Sequence, residues 1–321
     1  MKRGLIFGIS GQDGAYLANF LLGKDYEVYG ASRDAEASSF SNLRKLGILE
    51  RVKLLSVAVN DFRSVFQALK KVEPDELYNL AGQSSVALSF EQPVETMESI
   101  SIATLNLLEA IRFTGKYIKL YNAGSSECYG DVYDHTANEL TPFRPRSPYA
   151  VAKSSACWEV ANYREAYNLF VCNGILFNHE SPLRPHRFVT RKIVSSACRI
   201  ARGSHEKLSL GNLNIVRDWG WAPEYVQAMW LILQTTQPED FVIATGESHS
   251  LEEFVQVAFS EVGLDWRDHV KVDSELHRPT DLLVSRADPS KASKILGWRA
   301  TTKMEGVVKT MIADELKSSI K

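Results

Sequence analysis

Tyr149 and Lys153 stand four positions apart in the run Ser147-Pro148-Tyr149-Ala150-Val151-Ala152-Lys153, near the middle of a 321-residue chain. On a helix that spacing puts both side chains on one face, one turn apart. An ammonium held there lowers the pKa of the phenol from its ordinary value of about 10. A phenolate near neutral pH is a general base for a sugar or alcohol hydroxyl. The same spacing is common in plain surface pairs. The pair therefore acquires meaning only from the elements that position it.

Those elements begin at the N-terminus. Leu5-Ile6-Phe7-Gly8-Ile9 reads as a buried parallel strand, apolar throughout. It runs into Gly8-Ile9-Ser10-Gly11-Gln12-Asp13-Gly14, then a helix with Tyr16, Leu17, Phe20, Leu21 and Leu22 as its apolar positions. A strand, a glycine turn and a helix make a dinucleotide-phosphate site. The glycines allow a tight turn and close approach of backbone to pyrophosphate, which sits at the positive helix N-terminus. Gly8, Ser10, Gly11, Gln12, Asp13 and Gly14 are the residues such a turn brings to a cofactor. A second strand, residues 27–33, ends where an adenosine ribose is read. An acid there favours NAD and a cation favours NADP. Arg33 followed by Asp34 offers both, and the reading here is NADP on Arg33, with NAD as the alternative.

Residues 52–59 read as a third strand, and 61–71 as a helix with Asp61 as its N-cap. The fourth strand leaves through Leu80, Ala81 and Gly82, small enough for a cofactor to pass close to the backbone. Ser84 and Ser85 follow, able to bond cofactor or substrate. A long helix over about 93–113 precedes a fifth strand, 119–124, which leads into Ser125-Ser126-Glu127. Residues 147–169 form the helix carrying Tyr149 and Lys153. The alternation predicts an α/β fold built on a doubly wound parallel sheet. Ligands in such sheets bind beyond the carboxyl ends of the strands. The glycine turn, Ser84, Ser125–Glu127 and Tyr149 all fall at such ends, and that convergence argues for an active site.

Beyond residue 172 the regularity weakens. Residues 177–185 read as a polar, proline-broken loop, and 188–202 as a helix with Arg191, Lys192, Arg199 and Arg202. Cations placed in loops beyond a nucleotide fold suit a phosphate-bearing substrate, whereas Arg199 and Arg202 read as a solvated helix face. Residues 223–236 and 303–320 are helical, and 240–246 a short strand. A formal net charge of -2 gives no reason to expect nucleic acid or a membrane surface as partner. No apolar run reaches the 18 residues or so of a membrane span. Four cysteines without CxxC or metal-ligand spacing point to reduced thiols in a cytoplasmic protein, with no metal expected.

At this point the chain resembles the extended short-chain dehydrogenase/reductase family, the nucleotide-sugar modifiers. Gly8, Gly11 and Gly14 match its GxxGxxG, and Tyr149 with Lys153 its YxxxK. Longer runs narrow the resemblance to the GDP-mannose 4,6-dehydratase family. They are Tyr78-Asn79-Leu80-Ala81, Pro145-Arg146-Ser147-Pro148-Tyr149, Leu176-Phe177-Asn178-His179-Glu180-Ser181-Pro182, Phe188-Val189-Thr190-Arg191-Lys192 and Arg217-Asp218-Trp219-Gly220. The match runs in register from residue 4 to about 316.

The resemblance implies a Rossmann domain, residues 1–175 plus roughly 215–245. It also implies a smaller, GDP-sugar-binding lobe, 176–214 and 246–321. Its catalytic set is Ser125, Glu127, Tyr149 and Lys153. Tyr149 takes the proton of the sugar 4-hydroxyl as hydride leaves C4 for an oxidised nicotinamide. Glu127 removes the C5 proton and helps the 6-hydroxyl leave as water, and the hydride returns to C6. Leu80, Ala81, Tyr149 and Lys153 join the glycine turn and Arg33 around NADP. Ser84, Ser85, Ser126, Asn178, Val189, Lys192, Gly211, Arg217, Arg278 and Asp281 surround the GDP-sugar. A homodimer through helices 93–113 and 147–169, or a homotetramer, is also implied.

The chain departs from that pattern at particular places. Ala58 stands where an Asp reads the adenine, Asp34 where a second arginine stands, Ser85 where a His is usual, and Asp281 where a Glu is. Pro185-His186-Arg187 replaces a glycine-led turn. These leave open a relative of mannose, such as a GDP-heptose, as the sugar. The rival readings are a GDP-sugar 4-keto reductase or epimerase, against which Glu127 argues, and a cofactor-binding protein without activity.

Overall fold

The computed structural model describes residues 1–276 and 279–318. Nine strands position the site. They are β1 (Arg3–Phe7), β2 (Glu27–Ser32), β3 (Lys53–Ser56), β4 (Glu76–Asn79), β5 (Lys119–Ser125), β6 (Val171–Leu176), β7 (Asn178–Glu180), β8 (Trp219–Trp221) and β9 (Phe241–Ile243). Seven of them form one parallel sheet in the order β9-β6-β5-β4-β1-β2-β3. Parallel neighbours need a crossover, and helices supply it on both faces. That is why Leu5, Ile6 and Phe7 are all fully buried although they point to alternate sides. The strand order reverses beside β1, which places the carboxyl ends of β1 and β4 at the crevice where such folds bind ligands. The expected α/β doubly wound sheet is the observed one.

The helices that matter are α1 (Gln12–Leu22), α2 (Ala103–Thr114), α3 (Pro148–Tyr167), α4 (Val189–Ala201), α5 (Ala222–Gln234), α6 (Leu251–Ser260) and α7 (Met304–Ser318). On one face of the sheet α1 lies against α5, although their starts, Gln12 and Ala222, are far apart in sequence. On the other face α2 lies against α3 and the helix Phe62–Val72. A separate apolar cluster gathers Ile193 and Val194 of α4, Phe254 and Phe259 of α6, and Val307 and Met311 of α7. It underlies the part of the chain where sheet periodicity fails.

Two expected elements differ in detail. The third strand ends at Ser56, not at residue 59. The Ala58 amide donates to Ser64 Oγ at 3.1 Å, so the backbone has already turned toward the next helix, which Asp61 caps as expected. The helix expected over 93–113 is an α-helix, Pro93–Met97, a π segment, Glu98–Ile102, and then α2. The wider turn lies where the exit loop of β4 presses on it: a Cβ at Gly82 would come within 2.9 Å of the Ser99 carbonyl oxygen.

Three asparagines in register tie the centre of the sheet together. Asn79 of β4 donates to Asn122 of β5 at 3.0 Å, and Asn122 donates to Asn173 of β6 at 2.9 Å. Asn173 in turn donates to the Cys157 carbonyl of α3 at 3.1 Å, and Asn79 also donates to Thr104 Oγ1 at 3.1 Å. All three asparagines are buried.

Candidate active site

The glycine turn follows β1 directly. Gly8 has φ +85°, and a Cβ there would lie 2.5 Å from the Leu80 carbonyl oxygen. A Cβ on Gly14 would lie 2.3 Å from the Gly8 oxygen. Both positions admit glycine alone. The turn closes through Gly11 N–H to Gly8 O at 3.0 Å, and α1 starts at once, its first amides facing the crevice. This is a backbone cradle at a helix N-terminus, and it fits the phosphates of a dinucleotide. Gly8, Ser10, Gly11, Gln12 and Gly14 make up the cradle. Arg33 lies exposed beyond the end of β2, while Asp34 Oδ1 accepts from the amides of Glu36 and Ala37, both at 2.9 Å.

At the end of β5 the Ser125 hydroxyl accepts from the Glu127 amide at 3.3 Å, capping the short helix Ser126–Tyr129. That turn brings Glu127 into the crevice. At the start of α3 the Ser147 hydroxyl accepts from the Ala150 amide at 3.1 Å, and Pro148 occupies the first helical position. This fixes Tyr149 in the first turn. Its hydroxyl lies near that of Ser125, with which it interacts. One turn on, Lys153 donates to the Ala123 carbonyl at 2.7 Å, with its ammonium 6.0 Å from the centre of the Tyr149 ring.

The electrostatics differ from expectation. Loss of water around Tyr149 pushes its phenol well above the ordinary value, and the nearby Ser125 hydroxyl only partly opposes this. Cys128 and Glu127 push it the same way, and Arg184 opposes. The net lowering expected from Lys153 is not found: burial prevails, and the ammonium donates to the Ala123 carbonyl. Burial also lowers Lys153 itself.

One cleft of about 480 Å³ collects most of the residues named from sequence. On the cofactor side Asp13, Leu80, Ala81, Tyr149 and Lys153 line it. Beside them stand Ser125, Glu127, Ser84, Ser85 and Ser126. On the far side are Asn178, Val189, Lys192, Gly211, Arg217 and Asp281. Lys192 donates to the Ser209 carbonyl at 2.7 Å. Arg217 is buried, donates to the carbonyls of Val216 and Leu282, and lies 3.5 Å from Asp281. Arg278 lies outside the described residues. Arg191, counted above among cations for an anionic substrate, is turned inward to pair with Glu315, because α4 buries that face against α7. Arg199 pairs with Glu206 and Arg202 caps the end of α7, as a solvated face should.

Several residues of the cleft escaped the sequence reading. Residues 177–185 are not simply loop, for β7 pairs in parallel with β8. Arg184 lines the cleft, 3.7 Å over the Phe188 ring and 3.1 Å from Glu180, and Arg187 lines it beside the same ring. Their signal was present in the motif they adjoin. His179 also lines the cleft and meets Asp13 at 2.9 Å. Among the described residues no group of three or more His, Cys, Asp or Glu is set to hold a metal ion, and no helix is long and apolar enough to cross a membrane.

The family model described as GDP-mannose 4,6 dehydratase matches residues 5–311. GDP-mannose 4,6 dehydratase 1 of Arabidopsis thaliana is 46% identical over 326 residues, covering 98% of this chain and 90% of its own. GDP-mannose 4,6 dehydratase of Dictyostelium discoideum is 43% identical over 342 residues, covering 98% of this chain and 96% of its own. Among solved structures, the Thermus thermophilus UDP-glucose 4-epimerase in complex with NAD superimposes with a TM-score of 0.86. It is 26% identical and covers 99% of each chain.

Proposed function

The chain belongs to the GDP-mannose 4,6-dehydratase family, and from that premise we propose that it converts GDP-mannose to GDP-4-keto-6-deoxy-mannose and water. The observation that carries the reading is a carboxylate and a phenol in one cleft. Glu127 stands with Ser125, Tyr149 and Lys153, opposite the cations Arg184, Lys192 and Arg217. A 4-keto reductase or epimerase needs Tyr149 but has no use for the carboxylate.

A nicotinamide cofactor fits the turn at Gly8 and Gly14, whose backbones leave no room for side chains. When bound, it supplies a hydride acceptor that later returns the hydride, so no reductant is consumed. Asp34 caps its own turn, which leaves Arg33 as the side chain facing a ribose 2′-phosphate and supports NADP. The protein's own groups do the rest. Burial favours the protonated phenol, so Tyr149 receives the proton of the sugar 4-hydroxyl only as the phenolate, the form that Lys153 and the positive charge of an oxidised nicotinamide would favour, and Ser125 bonds the same sugar oxygen and stabilises charge building there. Lys153, anchored on Ala123, supplies a fixed positive charge behind them. Glu127 takes the proton from C5, acidified by the adjacent ketone, and passes a proton to the departing 6-oxygen. Lys192, Arg217 and Arg278 hold the diphosphate, with Asn178, Val189, Gly211 and Asp281 around the nucleoside.

The chain divides in this reading into the nucleotide domain, 1–175 with roughly 215–245, and the GDP-sugar lobe. The apolar cluster of α4, α6 and α7 supports the second as a packing unit. Val94, Ile102, Val151 and Trp158, exposed by 68, 43, 45 and 67%, mark a face that supports a homodimer through Pro93–Thr114 and α3. Four buried free thiols suit a cytoplasmic setting.

Incubation with GDP-mannose and no added reductant, followed by mass spectrometry, should show loss of one water. Unchanged GDP-mannose with cofactor demonstrably bound would refute the reading. Ser85 lines the cleft where a bulkier residue is usual, so GDP-heptose belongs in the same assay as the second substrate.

A further inference from the structure

We propose that His179 is a positioning residue that neutralises Asp13 at the mouth of the cofactor turn and thereby couples cofactor binding to the strand carrying Asn178. This rests on the reading of the glycine turn as a nicotinamide-dinucleotide site.

The geometry specifies the charge. His179 Nδ1 lies 2.7 Å from the Phe177 carbonyl oxygen, and Nε2 lies 2.9 Å from Asp13 Oδ2. A carbonyl only accepts, so Nδ1 carries a hydrogen. An ionised carboxylate also only accepts, so Nε2 carries one too. The ring that satisfies both bonds is the imidazolium. It is buried, with 8% of the residue exposed, and stacks on Tyr225 at 4.6 Å.

Asp13 sits in the first turn of α1, where the helix end and the glycine turn offer amides to phosphate. An uncompensated carboxylate at that point repels the anion the turn is built to hold. Paired with His179 it is neutral overall. The pair is also a bridge in sequence. Gln12 Nε2 donates both to the His179 carbonyl at 3.1 Å and to Asp13 Oδ1 at 3.0 Å, and Ser181 donates to Gln12 Oε1 at 2.7 Å. The start of α1 is thus tied to the middle of β7 and to the residue that follows it, and the first residue of β7, Asn178, lines the substrate side of the cleft.

The charged and titratable groups facing the pair are Arg184 just beyond β7, with its partner Glu180 at the end of β7, Tyr225 of α5, Tyr16 of α1, Tyr121 of β5 and Lys153 of α3. Burial disfavours the imidazolium, but the Asp13 charge and bond outweigh it and hold His179 above its ordinary value, while Asp13 is held below its own. The cation is therefore present below that elevated value and lost as pH rises through it. Asp13 is then left negative.

Dinucleotide affinity, measured on the full chain stripped of cofactor by equilibrium dialysis with NADP, tests this. From pH 7 to pH 9 the wild type should weaken roughly tenfold, the scale of one uncompensated charge near a partly screened anion. His179→Gln keeps a donor near Asp13 without the charge. It should bind about as weakly at pH 7 as the wild type does at pH 9, with little pH slope. Asp13→Asn should bind tightly at both pH values, and it decides the matter if His179→Gln fails to fold. Wild-type affinity and slope in His179→Gln, or an unchanged slope in Asp13→Asn, would overturn the role of His179. A wild type that binds no nicotinamide nucleotide at any pH would overturn the cofactor reading itself, and this inference with it.

Discussion

Replacing Asn122 by Leu cuts the amide chain that runs from Asn79 through Asn173 to the Cys157 carbonyl. Asn122 makes two of its bonds, at 3.0 and 2.9 Å, and is buried on a sheet covered from both sides. Leu is close to Asn in length and cannot bond either neighbour. Asn173 Oδ1 and one N–H of Asn79 are then stranded away from water, although Asn79 keeps Thr104 and Asn173 keeps Cys157. A stranded buried polar group costs about 1–3 kcal/mol, which makes roughly 2–6 kcal/mol for two. The added apolar burial returns about 1 kcal/mol. We expect a net loss of about 1–5 kcal/mol, read as a lowered urea midpoint with unchanged steepness. The double variant Asn122→Leu/Asn173→Leu should cost less than the sum of the two singles, since fewer groups are left without partners. Ala123, whose carbonyl holds Lys153, is the next residue. The kcat should therefore fall more than KM for the nucleotide sugar changes. A loss below about 0.5 kcal/mol, or strict additivity, would refute the assignment of the ladder as a coupled, hydrogen-bonded buried network.

Gly8→Ala meets both a positive φ and the Leu80 carbonyl at 2.5 Å. We expect about 2–5 kcal/mol of destabilisation, the left-handed cost and overpacking together, with loss of bound cofactor on gel filtration; an unchanged melting temperature with cofactor retained would contradict it. Tyr149→Phe should lower kcat by roughly 10²–10⁴ with stability nearly unchanged, and comparable turnover would remove Tyr149 as the acid-base group. Asp218 is buried and accepts from the amides of Thr245 and Gly246, yet burial raises its carboxyl from about 3.8 to about 6. A raised pKa means stability is greatest below the unfolded value and falls as pH rises through the folded one. The difference in unfolding free energy between wild type and Asp218→Asn should thus decline by about 2.4 kcal/mol between pH 4 and pH 7. A flat difference would show that Asp218 titrates normally.

What was legible in the sequence was what neighbouring residues decide among themselves. The glycine turn is one case, because Gly8 and Gly14 answer to local backbone geometry within a single strand-turn-helix. The helix that aligns Tyr149 with Lys153 is another, since Ser147 and Pro148 start it by local capping. The parallel sheet followed from apolar strands alternating with amphipathic helices. The family's longer motifs then singled out Glu127, which bare spacing did not.

Tertiary structure decided what depends on distance in sequence and on loss of water. His179 meets Asp13 across 166 positions, and Asn122 meets Asn79 and Asn173 across 43 and 51. No periodicity links residues so far apart. Arg191 looked like its neighbour Lys192 until α7 covered it. The Tyr149 phenol is the clearest instance. The sequence determined that an ammonium stands one helical turn away, but the phenol titrates upward, because the fold removes its water, while that ammonium donates to the Ala123 carbonyl.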